Sequence, residues 1–433
     1  MKKIIIAGAG HGGLVAAALL AQKGFKVTVY EKKPKGKVGH DFTDVFGGQP
    51  LRDLGIELPK DIKYYHNHPM AFYGPSQKTK LENRSSSGGL NLDRMALVAV
   101  LIDFAEKNGA KIVYDTEVLS PILDGGRVIG MVVRSGGKIK TVTGDLVVDS
   151  LGCDSVLRLG LPASADIEGD FGYAERFYAY RAFYEKVGED STEFHENHFY
   201  HIGDPGLAWF MDYDDYCDVL VGSFLPLDTE RVEEHLASFR VTYPELGEKI
   251  LRGGQFASIP IRKPIGRFTL NGYAAIGDSA AMTIPLIGSG IDNAMEAGRI
   301  LADVLIASRG DCTVAGLWRY QALYFKRVGA KMAKTDKLRE TFEIFTPDDV
   351  DFLLDNGILT SEDISSATGE GGMKMNASTL AGKAYRGKAN LPLLGKVAMK
   401  TRQGAVMETH ARNIPEIYNE TAAENWIKKY RSL

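Results

Sequence analysis

The sequence predicts an α/β protein, α+β overall, in which a discontinuous Rossmann-type nucleotide-binding domain accompanies an antiparallel β-sheet domain and a C-terminal helical region. Three observations lead to this prediction. A βαβ unit with a glycine-rich turn occupies residues 3–31. Aromatic-rich, strand-like segments fill residues 165–260. A strand, a second glycine-rich loop and a helix then follow from Tyr273 onward, so the nucleotide domain resumes after the sheet.

The first unit has the spacing of a dinucleotide-binding turn. The apolar strand 3–7 enters Gly8-x-Gly10-x-x-Gly13, an Ala/Leu-rich helix follows, and the strand 26–30 ends on Glu31. These glycines permit a tight turn, approach of the backbone to a pyrophosphate and close helix–strand packing, and a helix N-terminus attracts phosphate. Glu31 can bind a free ribose diol, which favours FAD or NAD over NADP. The cofactor-binding residues predicted here are Gly8, Gly10, Gly12, Gly13, Glu31 and Lys32.

Between the two Rossmann segments we expect a hairpin within 62–82, an amphipathic helix over 91–108 and a β-meander over 128–148. The last hundred or so residues have the pattern of helices joined by loops. The predicted nucleotide domain comprises 1–61, 84–164 and 255–330. The predicted sheet domain comprises 62–83 and 165–254, and the helical region comprises 331–433.

The second glycine-rich stretch contains Gly277-Asp278 and then Pro285-x-x-Gly288-x-Gly290-Ile291. A carboxylate at a strand end can bind a ribitol hydroxyl, and glycines before a helix expose N–H groups to a negatively charged ring edge. Together with the first turn, this stretch resembles the second FAD motif of the p-hydroxybenzoate hydroxylase superfamily.

Other segments fit the same superfamily. Leu92-Asp93-Arg94 resembles its arginine position, which implies that Arg94 reaches the FAD pyrophosphate, and Thr116-Glu117-Val118 resembles the segment whose backbone meets adenine. The stretch from Asp145 to Arg158, which includes Gly152, resembles the motif Asp-Leu-Val-x-x-x-x-Gly-x-x-Ser-x-x-Arg. The resemblance implies FAD as the cofactor, with Asp278, Pro285, Gly288, Gly290 and Ile291 among its ligands.

Within the superfamily the pattern is closest to the geranylgeranyl reductase branch. Leu207-Ala208-Trp209-Phe210-Met211 resembles that branch's Tyr-x-Trp-x-Phe-Pro segment beside a lipid pocket, with Leu207 and Met211 departing from it. The resemblance implies reduction of carbon–carbon double bonds in an isoprenoid-like substrate, by hydride transfer from flavin N5. NAD(P)H or ferredoxin would be the external electron donor. Predicted substrate contacts are Tyr200, Trp209 and Phe210, and no catalytic residue is assigned.

Two other functions use the same scaffold. An aromatic hydroxylase would take NAD(P)H and oxygen, and it would need no second Rossmann motif. A non-catalytic lipid-binding relative, such as a Rab GDP-dissociation inhibitor, would have no use for the Gly277-Asp278 motif. Halogenases of this fold carry a Trp-x-Trp-x-Ile-Pro motif that is absent from the sequence.

Composition limits the partners. A net charge of −3 predicts no nucleic-acid partner, three scattered cysteines predict neither a disulfide framework nor a metal site, and no apolar run is long enough to span a bilayer. We expect a cytoplasmic protein acting on a hydrophobic small molecule or lipid. Residues 371–407 lack Asp and Glu before Glu408 and interleave basic with apolar residues, a pattern suited either to an anionic membrane surface or to a solvated helix packed on the domain.

Overall fold

A computed structural model describes residues 2–59, 68–84, 90–368 and 377–433. Parts of the predicted 62–82 hairpin and of the basic segment 371–407 lie outside these residues. The described strands are β1 (Lys3–Ala7), β2 (Lys26–Tyr30), β3 (Thr43–Phe46), β4 (Met70–Tyr73), β5 (Lys80–Asn83), β6 (Leu90–Asp93), β7 (Lys111–Val113), β8 (Thr116–Asp124), β9 (Arg127–Ser135), β10 (Lys138–Thr143), β11 (Leu146–Asp149), β12 (Arg176–Lys186), β13 (His195–Phe199), β14 (Gly206–Asp212), β15 (Tyr216–Ser223), β16 (Leu246–Pro260), β17 (Thr269–Leu270) and β18 (Tyr273–Ala275).

The described helices are α1 (His11–Gln22), α2 (Gln49–Asp53), α3 (Arg94–Lys107), α4 (Val156–Leu159), α5 (Thr229–Thr242), α6 (Ile291–Ala307), α7 (Val314–Tyr324), α8 (Ala330–Phe342), α9 (Pro347–Asp355), α10 (Ser361–Thr368), α11 (Ala377–Arg386), α12 (Leu391–Arg412) and α13 (Glu420–Ser432). A short π-helical turn, Phe325–Gly329, joins α7 to α8.

The nucleotide-binding half is built on a six-stranded sheet in the order β17-β18-β11-β1-β2-β7. Strand β1 is central because Ile4, Ile5 and Ile6 are fully buried, as expected for a parallel strand covered on both faces. It pairs in parallel with β2 on one side and β11 on the other. The predicted α/β class, with a Rossmann-type unit, an antiparallel sheet and C-terminal helices, is confirmed.

Two elements differ from the sequence prediction. Helix α3 begins at Arg94 because the Asp93 side chain accepts a hydrogen bond from the Ala96 N–H, while residues 90–93 form the strand β6 against β3. The meander consists of β8, β9 and β10. We expected residues 145–148 to extend it, but the apolar residues 146–148 and Asp149 are buried and join the parallel sheet beside β1.

The second large sheet has seven strands in the order β16-β12-β15-β14-β13-β4-β5, and only β4 and β13 pair in parallel. Its outer face, with Phe210 and Val219, packs on α5 through Phe239 and Tyr243. Its inner face, with Arg181, Trp209 and Leu220 among its residues, is turned toward β3, since Arg181 donates to Thr43 Oγ1 at 2.8 Å. We placed a domain boundary at residue 255, and strand β16 runs without a break through that residue. The domain boundaries given above stay predictions.

Buried histidines connect the outer face with α5 and the β4–β5 turn. His198 Nε2 lies 2.7 Å from Tyr243 Oη, and its Nδ1 contacts Gln77. His201 Nδ1 lies 2.7 Å from His235 Nδ1, and Asp204 holds the other nitrogen of His235 at 2.9 Å. Burial lowers the pKa of His198 to about 4 and that of His201 to about 3, the latter with help from His235. These side chains are therefore neutral in the folded protein.

This network predicts a loss of stability in mild acid. The folded-state pKa of each histidine lies below the ordinary value of 6.5, so its contribution is complete above that value and is lost as the pH falls toward the folded pKa. Between about pH 7.5 and about pH 5.5 we expect a loss of about 1 kcal/mol for each such histidine in the free energy of urea unfolding. Replacing His198 with glutamine should flatten this dependence, and an unchanged slope would contradict the assignment.

The C-terminal helices pack on the nucleotide-binding half and on the seven-stranded sheet. Trp318, Trp426 and Tyr430 are buried around the π-helical turn, and α12 lies along α8. Within the described ranges, no helix combines the length and apolarity needed to cross a bilayer.

Candidate cofactor and substrate site

The first glycine turn lies between β1 and α1 and packs on the end of β11. Gly8 has φ +84°, and a Cβ there would lie 2.6 Å from the Ser150 carbonyl oxygen. A Cβ at Gly10 would lie 2.5 Å from Ser150 Oγ, and one at Gly13 would also collide with this serine. In the structure the missing side chain of Gly10 makes room for Ser150. Approach of the Gly10 backbone to a pyrophosphate stays a prediction. The turn leaves the N-terminus of α1 with no side-chain cap, as a phosphate site requires.

Glu31 closes this turn from the end of β2. Its carboxylate accepts hydrogen bonds from the Ala9 N–H at 2.9 Å and from the Lys33 N–H at 2.8 Å, and only 8% of the residue is exposed. Each carboxylate oxygen keeps a second lone pair for a ribose hydroxyl. Lys32 is exposed beside it.

The second glycine loop brings another helix N-terminus to the same place. Gly290 precedes α6 with no side-chain cap, and Gly288 adopts φ +68°. Asp278 lies in the turn after β18 and accepts from Thr283 Oγ1 at 2.6 Å. A Cβ at Gly12 would lie 2.3 Å from the Ala294 carbonyl oxygen of α6, so the first turns of α1 and α6 are in direct contact. Two uncapped helix termini therefore converge.

The remaining predicted cofactor residues differ in their position and in how deeply they are buried. Pro285 begins the loop that reaches α6, and Ile291 is the first, buried residue of that helix. Arg94 begins α3 and pairs with Asp44 through Nε at 2.6 Å. Gly152 has φ +92° and open space where a side chain would be, whereas Val118 is buried in β8.

Two histidines accompany Arg94. Burial, then the Arg94 charge and His40, lower the pKa of His11 to about 3. Burial and Arg94 lower the pKa of His40 to about 4. Both imidazoles are thus neutral beside the phosphate turn. The positive charge that lowers both pKa values is that of Arg94, and Lys33 and Lys32 add to it at His40.

Sequence reasoning missed a buried carboxylate behind the site. Asp149, at the end of β11, is fully buried and accepts from Tyr273 Oη at 2.7 Å and Ser279 Oγ at 2.9 Å. Arg158 donates to the carbonyls of Ser279 at 2.7 Å and Cys153 at 2.6 Å. These bonds fix the loops that carry Gly152 and Asp278. An Asp in the middle of the matched 145–158 motif was the available signal.

The structure does not bring the three predicted substrate residues together. Phe210 is buried on the outer face, stacked on Tyr243 with 4.1 Å between ring centroids. Tyr200 packs under α8 and α9, and its hydroxyl donates to the Phe345 carbonyl at 3.1 Å. Trp209 alone lies on the inner face, 5.0 Å from the Arg181 guanidinium. Phe210 and Tyr200 pack in the protein core, away from the inner face. Of the three predicted substrate contacts, Trp209 is therefore the one placed to meet a substrate on that face.

In the part of the chain that the structure describes, no group of three or more His, Cys, Asp or Glu side chains is arranged to hold a metal ion.

Residues 6–67 match the family model of an NAD(P)-binding Rossmann-like domain. A digeranylgeranylglycerophospholipid reductase of Sulfolobus acidocaldarius is 25% identical over 96% of this chain and 92% of its own length. The enzyme of the same name from Methanothrix thermoacetophila is 26% identical over 84% of this chain and 92% of its own length.

Solved structures show the same fold. A geranylgeranyl bacteriochlorophyll reductase-like protein from Thermoplasma acidophilum superposes with a TM-score of 0.72 at 19% identity, covering 92% of this chain and 99% of its own. A flavin-dependent brominase superposes with a TM-score of 0.63 at 18% identity, covering 90% of this chain and 98% of its own. The predicted resemblance to flavoprotein oxidoreductases, closest to the geranylgeranyl reductase branch, is confirmed.

Proposed function

We propose that this FAD-dependent oxidoreductase reduces carbon–carbon double bonds of a hydrophobic, isoprenoid-like lipid. The observation that carries the proposal is the similarity to a digeranylgeranylglycerophospholipid reductase, which extends over 96% of the chain and therefore over the substrate sheet as well as the nucleotide domain. The hydroxylase and the non-catalytic alternatives have no comparable support.

The residues around the converging helices fit FAD. Glu31 would bind the adenosine ribose, the α1 N-terminus and Arg94 would bind the pyrophosphate, and Asp278 would bind the ribitol. The α6 N-terminus would face the flavin ring. When bound, FAD would supply the hydride from N5. The left-handed backbone at Gly8 and at Gly288 lets the chain turn sharply before α1 and α6. The N–H groups of these two glycines bond to the Tyr30 and Ile284 carbonyls, so the free N–H groups for FAD would come from the uncapped N-termini of the two helices.

The inner face supplies an apolar wall beside that ring. The loop carrying Gly288 meets the sheet at Ile259, with 3.7 Å from a Cβ built on Gly288 to Ile259 Cγ2. Ile259 pairs with Phe177, and the row continues through Leu207 and Trp209. These side chains would hold an alkene against the flavin and exclude water, and they would thus form the shaped pocket that the reaction needs. The reaction also needs a proton source.

Access to lipid is the second part of the proposal. On α12 the half-exposed or exposed side chains Leu391, Met399 and Val406 follow helical spacing, with Lys396 and Arg402 beside them. Lys400 pairs with Glu340 and Lys383 with Asp363, so these two cations are already neutralised. We propose that the exposed stripe rests on an anionic membrane surface.

The test is anaerobic reoxidation of the flavin. Protein loaded with FAD and reduced by dithionite is mixed with a geranylgeranyl lipid in anionic vesicles. We expect the oxidised flavin spectrum to return at least about tenfold faster than with the saturated lipid. Neutral vesicles test the membrane contact, and NADPH, NADH or reduced ferredoxin in place of dithionite identifies the donor. Equal rates with both lipids, together with oxygen-dependent conversion of a phenol, would instead make the protein a hydroxylase.

A further inference from the structure

At the end of the inner face away from Gly288, buried polar atoms have no hydrogen-bond partner within the described structure. They are Asn91 Oδ1, His195 Nε2 and Trp209 Nε1. Asn91 is 7% exposed and His195 is 5% exposed. A buried polar atom without a partner costs about 1–3 kcal/mol, and native proteins contain few of them. A group that supplied the missing bonds would therefore be bound favourably.

These residues are linked through Tyr213. Asn91 Nδ2 lies 3.1 Å from Tyr213 Oη, and the Tyr213 ring lies 5.0 Å from that of His195 between centroids. Trp209 pairs with Asn197 of β13, and His195 lies two residues along β13 on the same face. From Leu207 to Asp212 the strand β14 extends about 17 Å, comparable to a long alkyl chain.

The unpaired atoms are mostly acceptors. Asn91 Oδ1 is an acceptor in the orientation that places Nδ2 on Tyr213. The Asp212 backbone engages the other nitrogen of His195, so Nε2 presents a lone pair. Trp209 Nε1 is a donor. A hydroxyl group can donate to either acceptor and accept from the indole, whereas a phosphate dianion can only accept.

The surrounding charges are already balanced. Arg181 pairs with Asp218, and Arg94 pairs with Asp44. Burial and His68 lower the pKa of His195 to about 3, so its ring is uncharged at neutral pH. Among the described residues, these cations at this end of the face already have carboxylate partners, so none of them is left to compensate an anion.

We propose that Asn91, His195 and Trp209 form a subsite for a neutral hydroxyl group of the substrate, with the isoprenoid chain lying along the inner face toward the flavin. This inference rests on the proposed function and adds that the bound polar group is an alcohol and not a phosphate. Because these atoms are closed to solvent, the hydroxyl enters with its chain and displaces the side chains packed over them.

Equilibrium binding to oxidised holoenzyme tests the subsite without turnover, by calorimetry with geranylgeraniol, its methyl ether and its monophosphate. We expect the alcohol to bind about tenfold more tightly than the ether, which cannot donate, and more tightly than the phosphate. Asn91→Leu should bring alcohol binding close to ether binding, because it removes a hydrogen-bond acceptor that only the alcohol can use. Trp209→Phe should weaken both ligands, because the oxygen of either one can accept from the indole N–H. Bound FAD and the melting temperature show that each variant is folded.

Two results would overturn the subsite. One is phosphate binding as tight as alcohol binding, and the other is equal binding of alcohol and ether, which would leave the three atoms to ordered water. Failure of the proposed function has a different signature. In that case the alcohol would still bind more tightly than the ether, but neither would reoxidise the reduced flavin.

Discussion

Replacing Asp218 with alanine is expected to lower the free energy of unfolding by about 3–5 kcal/mol, because it leaves a buried guanidinium without its counterion. Asp218 is fully buried, and Arg181 Nε donates to its Oδ1 at 2.9 Å. The same guanidinium donates to the carbonyl and the hydroxyl of Thr43, so the ion pair joins the sheet to β3. Urea unfolding monitored by circular dichroism measures the change.

The matched control is Asp190→Ala, which removes an exposed carboxylate paired with Lys186 and should change stability little. The double variant Arg181→Met, Asp218→Leu should recover most of the loss, since it removes both charges and keeps apolar volume. If Asp218→Ala unfolds at the same urea concentration as the wild type, the guanidinium must reach solvent and the buried pair is not a stabilising contact.

Replacing Gly12 with alanine is the second change with a large expected effect. The new Cβ would lie 2.3 Å from the Ala294 carbonyl oxygen and 2.4 Å from Ile276 Cγ2, so α1 and α6 must separate. We expect about 3 kcal/mol or more of destabilisation, together with loss of FAD during purification, because the two helix termini would no longer converge. Flavin absorbance per protein and the melting temperature measure both effects.

Gly395→Ala provides the opposite case. This glycine lies inside α12, and a Cβ there would meet no atom within 4 Å. Alanine should therefore stabilise the helix by up to about 1 kcal/mol and leave FAD content unchanged. Retention of full flavin content by Gly12→Ala would show that the helix contact is not needed for the cofactor.

The sequence predicted the parts of the fold that depend on local pattern. The strand 3–7, the glycine turn and the strand 26–30 occur with the expected bounds, because apolar runs and glycine spacing are local signals. The helix over 91–108 was placed three residues too early because Leu90–Asp93 pairs with β3, a contact that spacing cannot reveal.

The substrate side was harder to predict for a physical reason. Trp209 and Phe210 are neighbours in sequence, but adjacent residues of a strand point to opposite faces. Only the structure shows which face packs on α5 and which faces the nucleotide domain. The importance of Asn91 likewise depends on its contact with Tyr213, 122 residues further along the chain.

The order of strands in the parallel sheet has a consequence for how the chain folds. Strand β1 pairs with β11 from Ile4 opposite Leu146 to Ala7 opposite Asp149, and β11 in turn pairs with β18. During synthesis on the ribosome, β1 therefore cannot pair with β11 until more than a hundred further residues have been added. Such non-local pairing slows folding and leaves an apolar strand edge exposed to aggregation in the meantime.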